Sequence, residues 1–160
     1  MNAPPRNRPP LPPVPVRGHT LLCLQGFRGE GYDPMFTAHM AAIHEKLFRQ
    51  PSLSVRVIRK PDTFCHSCPN LDGEKGCRLH GPESESRMAE QDRQVMQLLS
   101  IENEEVLTWD EIVKRISGRI RASMLDTLCG NCPWLPLGYC KEALDRLSRE
   151  AGAPSFRPQK

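Results

Sequence analysis

No apolar run in the 160-residue chain approaches the thickness of a bilayer, which excludes a membrane-spanning helix. The N-terminus holds no apolar signal core either, because prolines interrupt its few hydrophobic residues, so the expected compartment is the cytoplasm. An excess of one charge is also missing: 22 Lys and Arg face 19 Asp and Glu, a net charge of +3. Aromatics are few, with two Trp, two Tyr and five Phe, and no basic stripe carries them interleaved. Nucleic-acid binding therefore has no support. The segment 25–32 contains Gly26, Gly29 and Gly31 but lacks the Walker lysine and serine and any dinucleotide fingerprint, so it receives no nucleotide role. There is no metalloprotease motif, no nucleophile elbow and no radical-type Cys-x-x-x-Cys-x-x-Cys run. No catalytic residue is assigned on these grounds. Glu30 and Asp33 lie near Arg28, but helix capping and loop solvation account for them.

Proline and cysteine are what the chain has in quantity. Seven of the first sixteen residues are proline (Pro4, Pro5, Pro9, Pro10, Pro12, Pro13 and Pro15). Such a stretch lacks donors for a hydrogen-bond ladder and has little to bury, so residues 1–16 read as a solvated, partly polyproline tail. The end after Ala151, with Gly152, Pro154 and Pro158, reads as a second loose segment over 151–160. Between them, residues 17–150 suit one domain with one modest core.

Local signals predict a helix-rich α+β domain. The apolar run from Leu21 to Leu24 fits a buried strand or a helical turn, and periodicity does not separate the two. Asp33 and Pro34 form a helix start, after which Phe36, Met40, Ile43 and Leu47 share a face until Gln50. Leu53 to Ile58 alternates with β-branched residues and predicts a strand. Ser84 to Leu99 predicts a polar helix with Met88, Val95 and Leu99 inward. Thr108 and Glu111 form a capping box before Trp109, Ile112, Val113, Ile116 and Ile120. Short helices are expected over Ser123 to Cys129 and after Gly138, the latter carrying Leu144 and Leu147.

Seven cysteines in a reducing compartment disfavour a disulfide framework. Six of them form an internal repeat. The first copy is Cys65-His66-Ser67-Cys68-Pro69-Asn70-Leu71 followed by Gly76 and Cys77. The second is Cys129-Gly130-Asn131-Cys132-Pro133-Trp134-Leu135 followed by Gly138 and Cys140. Two residues between cysteines allow one tight turn, so both sulfurs face a common centre and backbone N–H groups point at them. Each triple is one ligand short of four. Cys23 is the one spare thiol, and His19, His66 and His80 are the nearby nitrogens. One centre could take a triple plus Cys23, or the two Cys-x-x-Cys pairs. Alternatively, two centres could share seven thiols and a histidine, or leave one iron open to a substrate. Structural zinc usually pairs knuckles about 15–20 residues apart, whereas 60 residues separate Cys68 from Cys129. The spacing therefore favours an iron–sulfur cluster, of the 4Fe-4S type, over zinc; free redox thiols come third. Cys23 fits a buried core position as well as a ligand, and His19 fits a hydrogen-bonded structural role as well as a ligand. His39 and His44 are given ordinary boundary roles. Trp134 and Tyr139 are candidates to shield the centre.

The chain resembles the small bacterial and archaeal proteins grouped as domain of unknown function 1284. The resemblance lies in Arg17-Gly-His-Thr-Leu-Leu-Cys23, in Gly26-Phe-Arg-Gly-Glu-Gly-Tyr32, in the Cys65 triple and in the stretch from Cys129 to Cys140. It implies iron–sulfur binding with no reaction attached, and it draws attention to His19 and Cys23. The expected function is an iron–sulfur protein in electron transfer or redox sensing, working with an unidentified redox or protein partner. A zinc-stabilised interaction module and an iron–sulfur enzyme with an open iron are the alternatives.

Overall fold

The structure, a computed structural model, describes residues 11–73, 75–130 and 132–150, with the backbone alone of 151 and 152. The chain begins with strand β1 (Val14–Arg17), then helices α1 (Thr20–Gly26) and α2 (Pro34–Arg49), then strand β2 (Ser54–Ile58). Two two-residue strands, β3 (Leu71–Asp72) and β4 (Gly76–Cys77), precede helix α3 (Ser84–Leu99). Strand β5 (Val106–Thr108) leads into α4 (Trp109–Arg119), α5 (Leu125–Leu128) and α6 (Tyr139–Gly152). The fold is α+β and helix-rich, as the sequence predicts. Among the described residues no helix is long and apolar enough to cross a membrane.

The sheet runs in the order β1-β2-β5, with β1 parallel and β5 antiparallel to β2. β1 takes in Val14, Pro15 and Val16, which composition assigns to the tail. Proline is tolerated there because β1 is an edge strand, and the Pro15 carbonyl accepts from both the N–H and the hydroxyl of Thr63. Val16 is fully buried. Residues 1–10 and 153–160, the rest of the two expected tails, lie outside the described residues.

The strongest sequence signals become the elements they predict. The Asp33 carboxylate accepts the Phe36 N–H at 2.8 Å and starts α2 with Pro34 in the first turn. Thr108 and Glu111 form both halves of the capping box on α4. The core gathers Val55 and Val57 from the sheet, Leu21, Leu22 and Leu24 from α1, Leu47 from α2, Leu99 from α3, Ile112 and Ile116 from α4, and Leu144 from α6. Burying each such side chain contributes about 1.5–3 kcal/mol. The ambiguous run at Leu21 to Leu24 is helical, and Cys23 is a helical residue packed at the edge of this core.

Candidate functional site

The cysteine repeat is also a repeat in three dimensions. In the first copy the Cys68 N–H donates to the Cys65 carbonyl at 2.9 Å and the Leu71 N–H to the Cys68 carbonyl at 3.2 Å. In the second, Cys132 N–H to Cys129 carbonyl is 2.9 Å and Leu135 N–H to Cys132 carbonyl is 3.2 Å. Backbone N–H groups also reach the sulfurs: Asn70 donates to Cys68 Sγ at 3.4 Å, and Trp134 and Leu135 donate to Cys132. Such donors favour the thiolate form. The copies then diverge. The first closes through the β3–β4 hairpin, where Leu71 pairs with Cys77. The second runs into α6, with Cys140 in its first turn. In both, the glycine before the third cysteine has positive φ, 78° at Gly76 and 81° at Gly138. That conformation turns the chain back and is strained for any residue with a Cβ.

α1 delivers Cys23 to the second copy. Gly26, one turn further along α1, lies so close to α6 that an added Cβ would stand 2.6 Å from Cys140 Cα and 2.9 Å from its Sγ. Burial raises the Cys23 thiol well above its ordinary range, and Cys132, Cys129 and Cys140 add to the rise. Burial likewise pushes Cys129 up to about 12 and Cys140 to about 11, with Cys132 contributing to both. These four thiols cannot ionise together without a cation among them. Tyr32 stands between the two copies. Its hydroxyl is raised by burial and then by Cys23, Cys68, Cys132 and Cys77.

A buried ionic network underlies the first copy. Arg17, 1 % exposed, donates through Nε to Asp92 at 2.8 Å and through both terminal nitrogens to Glu85 at 3.2 and 2.7 Å. Its backbone N–H donates to Asp62 at 2.8 Å, and Asp62 also accepts the N–H groups of Phe64 and Cys65. Glu85 accepts the Cys77 N–H at 2.9 Å. Asp92, 0 % exposed, accepts from the backbone N–H of His19 at 3.0 Å and from its Nδ1 at 2.6 Å. The guanidinium thus ties together the carboxylates that hold Cys77 and His19, and the backbone N–H of the same residue bonds the carboxylate that holds Cys65. Sequence reasoning missed Asp62, Glu85 and Asp92. Nothing in their spacing links them, since they stand 45, 68 and 75 residues from Arg17.

Two adjoining cavities are lined by six of the seven cysteines; Cys140 lines neither. One, of about 80 Å³, is lined by Cys65, Cys68, Cys77 and Cys23 with His19 and Trp134. The other, an open cleft of about 570 Å³, is lined by Cys129, Cys132 and again Cys23, His19, Tyr32 and Trp134. Tyr32 and Trp134 pack at a tilt of 47° with ring centroids 4.6 Å apart, and Phe36 packs against both. Trp134 therefore lies at the site, whereas Tyr139 lies under the Arg28 guanidinium 4.2 Å away. His66 is exposed and lines neither cavity, and His80 lies at the rim of the cleft. His39 has more than a boundary role: its Nδ1 shares a 2.6 Å hydrogen bond with Ser67, inside the first Cys-x-x-Cys turn.

All seven thiols are free of disulfides. In kind they fit a thiolate-ligated inorganic group: sulfur donors from five segments of the chain, most of them partly buried, with N–H groups aimed at two of them. They do not fit a single ion as they stand. Among the described residues no three His, Cys, Asp or Glu side chains gather closely enough to hold one metal ion.

Residues 31–138 match the family model described as "Protein of unknown function (DUF1284)". The matched span holds five of the seven cysteines; His19 and Cys23 precede it and Cys140 follows it. No curated protein and no solved structure matches the chain.

Proposed function

The chain belongs to the DUF1284 family, and from the chemistry of its site we propose that it is an iron–sulfur protein of the 4Fe-4S type, serving electron transfer or redox sensing. The observation that carries this reading is the convergence of distant thiols on two adjoining cavities that share Cys23 and Tyr32. A bound cluster supplies reversible one-electron chemistry. The protein's part is to hold and insulate it. Tyr32, Phe36 and Trp134 exclude water from the thiols. The Asn70 and Trp134 N–H groups stabilise sulfur charge, which raises the affinity of the reduced state. The working compartment on this reading is the reducing cytoplasm, with a redox protein as partner.

Zinc is the second reading. A tetrahedral zinc site needs sulfurs on the order of 3.8 Å apart, a closer grouping than the described residues offer. The open cleft beside Cys129 and Cys132 is what favours the third, an enzyme with an accessible iron.

The test is anaerobic purification of the full chain with iron, sulfide and zinc analysis. We expect a brown protein whose visible absorption bleaches reversibly on reduction. Cys132→Ser should lose iron and lower the thermal stability of the whole domain. A colourless protein with stoichiometric zinc would establish the second reading instead. A folded protein free of any metal would refute both.

A further inference from the structure

The cleft beside the second cysteine turn is far roomier than a single ion needs. Its volume of about 570 Å³ falls in the range of small-molecule sites, roughly 300–1,000 Å³. Three cysteines account for only part of its lining. One wall is α3, through Arg87, Met88 and Gln91, and the other is the chain around the second cysteine turn, through Leu128, Pro133 and Trp134. We propose that this cleft binds a small organic monocarboxylate, with the carboxylate on Arg87 and the apolar body against Trp134, Leu128 and Met88. The inference does not rest on the iron–sulfur reading, since both walls are protein.

Charge selects the ligand. Besides the thiols and Tyr32, the ionisable side chains lining the cleft are Arg87, Glu90, His19 and His80. Glu90 is answered by Arg93, which donates to it through Nε at 2.8 Å and through a terminal nitrogen at 2.7 Å. His19 is turned to Asp92. Arg87 differs: among the described residues its guanidinium meets no carboxylate and no hydrogen-bond acceptor. An arginine presents a planar fork of donors matched to a carboxylate or a phosphate. One unanswered positive charge balances one negative charge. A phosphate monoester carries more than one near neutral pH, so the carboxylate is the better match.

Packing sets the rest of the ligand. Leu79, Met88, Leu128, Pro133 and Trp134 give the cleft an apolar surface, on which an alkyl or aryl body leaves water. The Trp134 ring is held by Tyr32 at 4.6 Å and by Phe36 at 6.5 Å between centroids, so it is in place before a ligand arrives. The Gln91 amide donates to the Leu128 carbonyl at 2.6 Å, which ties α3 to α5 and fixes the distance between the walls. A cleft preformed in this way binds with little ordering cost.

The test is a titration of the anaerobically purified full chain, its iron content measured first, with phenylacetate and hexanoate, their neutral amides, and benzyl phosphate. Calorimetry and tryptophan emission follow the binding. Each carboxylate should bind one to one, and its amide about tenfold more weakly, because the charged hydrogen bonds to Arg87 are lost. Phenylacetate should change the tryptophan emission, a change that Trp134→Phe removes. Arg87→Gln should abolish the difference between acid and amide while leaving the melting curve unchanged, because Arg87 is exposed. Arg59→Gln, which does not touch the cleft lining, should bind like the wild type. Equal binding of acid and amide, tighter binding of benzyl phosphate than of phenylacetate, or a carboxylate affinity that survives Arg87→Gln would overturn the assignment. So would the absence of saturable binding by either carboxylate. An iron-free, folded chain that still prefers the carboxylates would sink the iron–sulfur reading and leave this one standing.

Discussion

Arg17 shows how much a single buried side chain organises here. Three carboxylates face its guanidinium or its backbone N–H, and burial alone would depress its pKa. Glu85 and Asp92 overcome that and hold it above the ordinary arginine value. Its role cannot be transferred to an apolar residue, because Asp92 would remain buried with no cation beside it. Removing one partner from such a network costs about 3–5 kcal/mol. Arg17→Met should therefore lower the unfolding free energy by roughly that amount in denaturant titrations, with Cys77 and His19 loosened through Glu85 and Asp92 and, on the iron–sulfur reading, iron content reduced. Unchanged stability would mean the carboxylates find other partners or take up protons. None of this was legible in the sequence. Arg17 and His19 stand in a recognisable motif, but their carboxylates come from the loop after β2 and from two turns of α3. Asp92 in particular sits in a helix that reads as polar, where a carboxylate on the inner face looks like surface.

At the scale of elements, legibility followed locality. α2, α3 and α4 were readable because a helix start is written within four residues and an apolar face within two turns. β1 was not, because Pro15 resembles the proline tail and only its pairing with Val55 to Ile58, some forty residues on, makes it a strand. α1 stayed ambiguous because six of its seven residues are buried, leaving no polar face to set the period. The cysteine turns were legible to the level of their hydrogen bonds, since Cys-x-x-Cys-Pro-x-Leu dictates one turn geometry and both copies adopt it. Elements far from the site supply a control. Thr108→Ala removes the hydroxyl that accepts the Glu111 N–H and should cost about 1 kcal/mol, seen as a lower denaturant midpoint with an unchanged slope. Metal content should not move. If it fell, the cap of α4 would be coupled to the cysteines in a way its position does not suggest.

Across the whole molecule, the cysteines sit where α1, α6, the β3–β4 hairpin and the turn after α5 meet. On the iron–sulfur reading, binding at the thiols is thus linked to the global fold, because the unfolded chain presents no such site. Stripping the metal under reducing conditions should lower the melting temperature of the entire domain in one transition, measured by calorimetry against the loaded protein. An identical melting curve would show that packing alone holds the thiol segments in place. The contact between Gly26 and Cys140 carries a further consequence, for biogenesis. During translation α1 leaves the ribosome more than a hundred residues before α6 does, so the seam between Gly26 and Cys140 stays open until the segment carrying Cys140 has emerged.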